Sequence, residues 1–290
     1  MDNENKMFNE YLDSTELSVN SKSQYRWSFN KFATLKKGLL NSTENEIISF
    51  IKKMVDKNGE QPKPKSKLSH LNIAIMFRKH NDLPNKLLLK YKQELIGENQ
   101  KHKSKKNDIK KLSLPNVEEV IAHEKKLLET GDMRGFIIVH LLRILHCRNL
   151  DLDMLITTDK SKLNNEDNFA LVEDKKLTLI RNNYKTKKMY GTKKKIITSK
   201  KLIGIFKAFL NEEKEKYLLA KEDNTHLTES SIQKFICKHT LDNLNESDMN
   251  RVFCTDALER NDFKYLQQIE KERGTSLITL MSEYSTQFPQ

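Results

Sequence analysis

Residues 169–198 read FALVEDKKLTLIRNNYKTKKMYGTKKKIIT. Nearly everything on either side has helical spacing, so this stretch decides the fold class. "FALVED", "KKLTLIRNNY" and "KKKIIT" are short, rich in bulky and β-branched residues, and bounded by turn formers, which predicts strands. "KTKKMYGT" lies before the last of them and predicts a turn. The expected fold is mainly α with a small antiparallel β-sheet, and the last hairpin of that sheet is densely basic.

Working outward, residues 7–95 read as short helices. Phe8, Tyr11 and Leu12, then Tyr25, Phe29 and Phe32, recur at helix-like intervals. "NSTENEIISFIKKMV" opens on residues suited to capping and puts Ile47, Ile48, Ile51 and Val55 on one face. "PNKLLLKYKQELI" supplies a further helix. Residues 97–115, "GENQKHKSKKNDIKKLSLP", hold almost no apolar side chain and read as an extended basic linker. The expected division is therefore 1–96, a helical domain; 97–115, a linker; and 116–290, a second domain. In the second domain Asn116 is a candidate cap and "DMRGFIIVHLLRILHCRNLDLDML" a buried helix. Beyond the strands, "KLIGIFKAFLNEEKEKYLL", "TESSIQKFICKH", "ESDMNRVFCTDALER", "FKYLQQIEKERG" and "SLITLMSEYS" all read as helices.

The chain has 290 residues and a formal net charge of +12. That charge is focused. Residues 175–201 carry eleven Lys/Arg and no Asp/Glu, and residues 101–111 carry six Lys and one Asp. Two such stretches attract polyanions and release counterions on binding them; the plainer alternative is two solvated loops. No apolar run approaches the roughly 18 residues of a membrane span. The three cysteines form no CxxC pair, so neither a disulfide framework nor a zinc site is indicated. No Walker loop and no cluster of metal ligands is found, so no cofactor is implied.

Four local patterns now carry a resemblance. "LLRILHCRNLDLDML", 141–155, sets an arginine in an apolar helix. Arg143 is costly there unless it meets a carboxylate or a phosphate; Arg148 is the alternative in the same stretch. "NYKTKK" places Lys185, with Lys187 and Lys188 as rivals, on the basic hairpin. "SDMNRVFCTDAL" holds Asp248 and Arg251 three apart. "ERGTSLITLMSEYS", 272–285, puts Tyr284 ten positions after Gly274, with Thr275 following that glycine.

In this order the patterns resemble the tyrosine recombinase (phage integrase) family over nearly the whole chain. The resemblance implies an N-terminal helical (SAM-like) core-binding domain and a C-terminal catalytic domain. It implies cleavage and rejoining of double-stranded DNA through a 3′-phosphotyrosyl link on Tyr284, by a homotetramer on DNA and without a cofactor. Arg143 and Arg251 would hold the scissile phosphate and Lys185 would protonate the leaving oxygen. Asp248 stands where the family has His, and Thr275 where it has His or Trp. The family has an acidic residue three positions after its first arginine, where His146 follows Arg143. Lys101, Lys103, Lys105, Lys106, Lys187, Lys188 and Lys193 are expected on the DNA backbone. The alternatives kept open are a DNA-binding relative that has lost strand exchange, serving genome processing in a virus or mobile element, and a type IB topoisomerase-like enzyme.

Overall fold

The computed structural model describes residues 2–56, 58–111, 114–211, 213–221 and 225–284; the side chains of residues 2, 103–111, 229–230 and 282–284 are outside the description. The chain divides into two compact units, Met1–Ile109 and Lys110–Gln290.

The first unit is helical: α1 Asp2–Asp13, α2 Val19–Asn30, α3 Gly38–Asn41, α4 Glu44–Lys53, α5 Pro64–His80 and most of α6 Lys86–Lys111. Its core is aromatic. The rings of Phe8 and Phe29 stack 4.0 Å apart, and Phe77 meets each edge-on at 5.2 Å. The cap read from "NSTENE" forms as a reciprocal box, in which Thr43 accepts from the Glu46 amide and Glu46 accepts from the Thr43 amide. Arg78 is buried on α5 and donates to the carbonyls of Leu39, Ser42 and Pro84. It thereby ties α3 and the α5–α6 turn together with no carboxylate partner in those bonds.

The stretch expected as an extended linker departs from that reading, because α6 is helical to Lys111. The stretch lacks a face to bury, but its six lysines, Glu98 and Gln100 are good helix formers and no proline interrupts residues 97–111. Low apolar content excluded a core contact, not a helix.

The second unit comprises α7 Val117–Glu129, α8 Met133–Leu145, β1 Met154–Thr157, β2 Asn168–Val172, β3 Leu177–Arg181, α9 Lys187–Tyr190, β4 Lys193–Ile197, α10 Lys200–Leu210, β5 Glu215–Tyr217, α11 Glu229–His239, α12 Glu246–Glu259, α13 Phe263–Arg273 and α14 Leu277–Tyr284. Asn116 caps α7, again with a reciprocal partner at Glu119. Residues 136–139, 141, 142 and 145 of α8 are all buried, and α8 lies at the centre of the core.

The sheet has five strands in the order β4-β3-β2-β1-β5. It is mixed, which corrects the antiparallel expectation. β2–β3 and β3–β4 are the antiparallel hairpins read from 169–198, but β1 runs parallel to β2 and β5 antiparallel to β1. A parallel neighbour needs a return crossover, supplied here by residues 158–167 with a 3-10 turn at Lys160–Lys162. β1 is largely buried and only four residues long, so it shows no alternation to read. "NEEKEKYLL" also departs from the helix expected. α10 stops at Leu210, Asn211 takes the left-handed conformation at φ 47°, and β5 follows.

Candidate active site

The site grows from the end of α8. Leu145 is its last residue, and His146 turns the chain out through a left-handed conformation at φ 46°. Arg148 therefore stands in a loop, not on the helix. Its Nη1 donates to the carbonyl of Arg273 at 3.0 Å and its Nη2 to Thr275 Oγ1 at 2.9 Å. The 273–275 turn is the C-cap of α13, with Gly274 left-handed at φ 62°.

The basic hairpin closes on the same turn. A Cβ added to Gly274 would sit 2.5 Å from Thr186 Oγ1 and 3.2 Å from both Lys193 Nζ and a ring carbon of Tyr190. Only glycine allows both the backbone conformation and this approach. Lys193 begins β4 directly opposite Arg181 of β3. Its ammonium donates to the carbonyls of Lys271 and Glu272. Burial lowers the Lys193 amine to about 8, the nearby Arg181 and Arg148 charges push the same way, and Glu272 offsets part of the effect.

An ion network underlies these groups. Arg181, 3% exposed at its side chain, donates to Glu272 Oε2 at 2.6 Å and lies 3.5 Å from Asp151 Oδ2. Lys195 bonds the other Glu272 oxygen at 3.0 Å. Burial raises the Asp151 carboxyl, and Arg181 opposes that rise. His146 is fully buried between the rings of Phe253 and Tyr265. Burial and the surrounding Lys195, Arg273, Arg143 and Arg181 hold it down at about 3, so it is neutral.

The remaining wall is α12, which packs on α13 and α14. Asn245 caps it, and Asp248 Oδ1 accepts from Arg251 Nη1 at 3.1 Å. Asp248 Oδ2 accepts from Asn245 Nδ2 at 2.6 Å. Both Asp248 and Arg251 are buried. Asp248 thus holds Arg251. Burial pushes the Cys254 thiol, one turn along, up to about 12, and the Arg273 and Arg251 charges offset part of that rise. Tyr284 is the last residue of α14; its side chain lies outside the described residues.

The expected residues therefore land in different places. Thr275 lies at the 273–275 turn, and Arg251 stands on α12, which packs against α13 and α14. Arg143 is locked in a bidentate pair with Glu124, Nε to Oε2 at 2.8 Å and Nη2 to Oε1 at 3.0 Å, where His140 Nδ1 also bonds Oε1 at 2.8 Å. Glu124, His140 and Arg143 line a cavity of about 640 Å³ between α7, α8, β4, α10 and α13, with His146 and Lys195 also in its wall. Burial alone would raise the Glu124 carboxyl, but the His140 and Arg143 hydrogen bonds hold it at about 2. Lys185 and Lys188 are exposed, and Lys187 donates to the Asn165 carbonyl. Lys101 is exposed on α6, and the side chains of Lys103, Lys105 and Lys106 lie outside the described ones.

Two residues that meet at the 273–275 turn, Arg148 and Lys193, are not the ones first expected to be catalytic. Arg148 has an acidic residue three positions on, Asp151, which is the spacing the resemblance asks for and which Arg143 lacks. Lys193 carried no local mark among its neighbours, although pairing across a hairpin would set it opposite Arg181.

Among solved structures the chain is similar to a crystal structure of XerA recombinase, with a TM-score of 0.39 and 14% sequence identity over 97% of this chain and 93% of that one. No family model matches the sequence, and no curated protein matches it.

Proposed function

We propose that this chain is a tyrosine-type DNA strand transferase, a site-specific recombinase acting on duplex DNA. The observation that carries the reading is the meeting of Arg148, Lys193 and Thr275, from three distant segments, around the 273–275 turn. Arg251 stands on the helix that packs against the one bearing Tyr284.

The chemistry follows from these groups. Tyr284 Oη gives up its proton to water as it attacks a backbone phosphorus; a P–O bond forms to the tyrosine, and the bond to the 5′ oxygen breaks. The phosphodiester energy is kept in the covalent link, so the reverse attack by a 5′ hydroxyl rejoins DNA without ATP. Guanidinium forks suit the non-bridging oxygens on which charge builds. In this reading Arg148, in place of Arg143, and Arg251 hold them, with Thr275 orienting Arg148. Lys193, in place of Lys185, gives its proton to the departing 5′ oxygen. An amine lowered to about 8 is well matched to that task near neutral pH. In this reading the exposed Lys185, Lys188 and Lys101 contact the DNA backbone. Four protomers on two duplexes would complete an exchange of strands.

The test is a nicked suicide duplex, with the protein–DNA adduct read on a denaturing gel. The wild-type chain is expected to form it and Tyr284→Phe to form none. A chain that retains DNA but yields no adduct supports a second reading, a binding protein without strand exchange. The observation favouring that reading is Asp248, a carboxylate closed on Arg251 where the family has an imidazole.

A further inference from the structure

Arg273 is among the most deeply buried large side chains, 2% exposed, and although it lies within the 272–285 stretch, the resemblance gives it no role. Its Nη1 donates to the carbonyls of His146 and Cys147 at 3.1 and 3.3 Å. Its Nη2 donates to Glu246 Oε1 at 2.9 Å. The other Glu246 oxygen accepts from the backbone N–H of Asn149 at 2.9 Å. The carbonyl of Arg273 itself accepts from Arg148.

Residues 146, 147 and 149 are thus gripped on the backbone by one guanidinium and one carboxylate, and the residue between them is Arg148. The loop needs such a grip. It opens on the left-handed, non-glycine His146, a conformation that costs energy unless its surroundings impose it. Glu246 is the first residue of α12, so the pair also fixes this loop to the helix that carries Asp248 and Arg251. A carboxylate at a helix N-terminus is favoured by the helix dipole as well.

We propose that the buried Arg273–Glu246 pair is a positioning device: it sets Arg148 against α12 so that two guanidiniums face one phosphate. Neither residue touches DNA in this role. The proposal rests on the strand-transferase reading for its catalytic consequence, but its structural content is separable.

Two measurements test it. In the first, Arg148→Ala is made in the wild-type chain and in Arg273→Met/Glu246→Met, which replaces the whole pair by apolar groups and so leaves no buried charge alone. Adduct formation is expected to fall about 10²–10³-fold in the wild-type background, the usual cost of a lost transition-state donor. In the double variant it is expected to fall by less than about tenfold, since a guanidinium already out of place has little left to lose. Equal losses in both backgrounds overturn the proposal. Arg273→Lys, which keeps the charge and removes the fork, provides the same comparison if the double variant does not fold.

The second measurement needs no catalysis. Nitrogen-15 spectra of the arginine side chains are expected to show slow Nη rotation for Arg148 in the wild type and fast averaging in the variants. Unchanged rotation overturns the proposal. A wild-type chain that forms no adduct sinks the strand-transferase reading and leaves this arm to decide the positioning role.

Discussion

Arg148 Nη2 lies 2.9 Å from Thr275 Oγ1, although 127 residues separate them in the chain. Arg143, only five residues from Arg148, is spent on Glu124 instead. Helix α8 points Arg143 toward α7, and the left-handed turn at His146 delivers Arg148 to the opposite partner.

This division gives opposite expectations for the two arginines. Arg148→Ala is expected to lower single-turnover cleavage about 10²–10³-fold with little change in stability, because a charge-stabilising donor is lost. Arg143→Ala is expected to cost about 3 kcal/mol in stability by leaving the Glu124 carboxylate buried without its guanidinium. Cleavage per folded molecule is expected to hold. Denaturant titration and cleavage of a suicide duplex separate the two.

Lys193 sets a pH limit. Its amine sits at about 8 in the folded chain, against an ordinary value near 10.5. The proton it would donate is present below that pH and lost above it. Cleavage is expected to fall through pH 8, and Lys193→Ala to remove most activity. A substrate with sulfur in place of the 5′ bridging oxygen leaves without a proton, so it is expected to restore cleavage by the alanine variant and to flatten the alkaline fall. A profile unchanged to pH 10 would assign the acid elsewhere.

Gly274 joins the conformational and catalytic arguments. Gly274→Ala meets a left-handed backbone and a Cβ 2.5 Å from Thr186 Oγ1. The expected loss is about 1–3 kcal/mol for the strained backbone, with the hairpin displaced from the turn. Thermal unfolding reads the first effect. The apparent acid pKa of cleavage reads the second, which is expected to move up as Lys193 becomes more solvated.

Glu124 makes stability fall in acid. Its carboxyl is near 2 when folded and near 4.5 otherwise, so its contribution is complete above pH 4.5 and is lost as pH falls toward 2. The contribution is about 3 kcal/mol. Glu124→Gln is expected to be less stable at pH 7 and to lose less stability between pH 5 and pH 3 than the wild type. Urea titrations at stepped pH give the comparison.

The local elements were legible in the sequence wherever a short-range rule decided them. Thr43 and Asn116 cap their helices because their side chains reach amides three residues on. β2, β3 and β4 follow from β-branched runs broken by turn formers. Residues 97–111 misled because a polar helix carries no apolar stripe. β5 was hidden inside an amphipathic-looking run that only Asn211 breaks.

Of the proposed site, the sequence by itself offered the residue types: an arginine near 143–148, a lysine on a basic hairpin, and Arg251 on a helix near its start. Which arginine and which lysine meet at the 273–275 turn is set only by the tertiary structure. The reason is physical. A guanidinium in a helix takes whichever partner its face meets, and Glu124 meets Arg143 from another helix. Lys193 becomes distinct from its ten neighbouring cations only when Arg181, Gly274 and the end of α13 enclose it. Enclosure is made by segments far apart in the chain, and no local pattern records it.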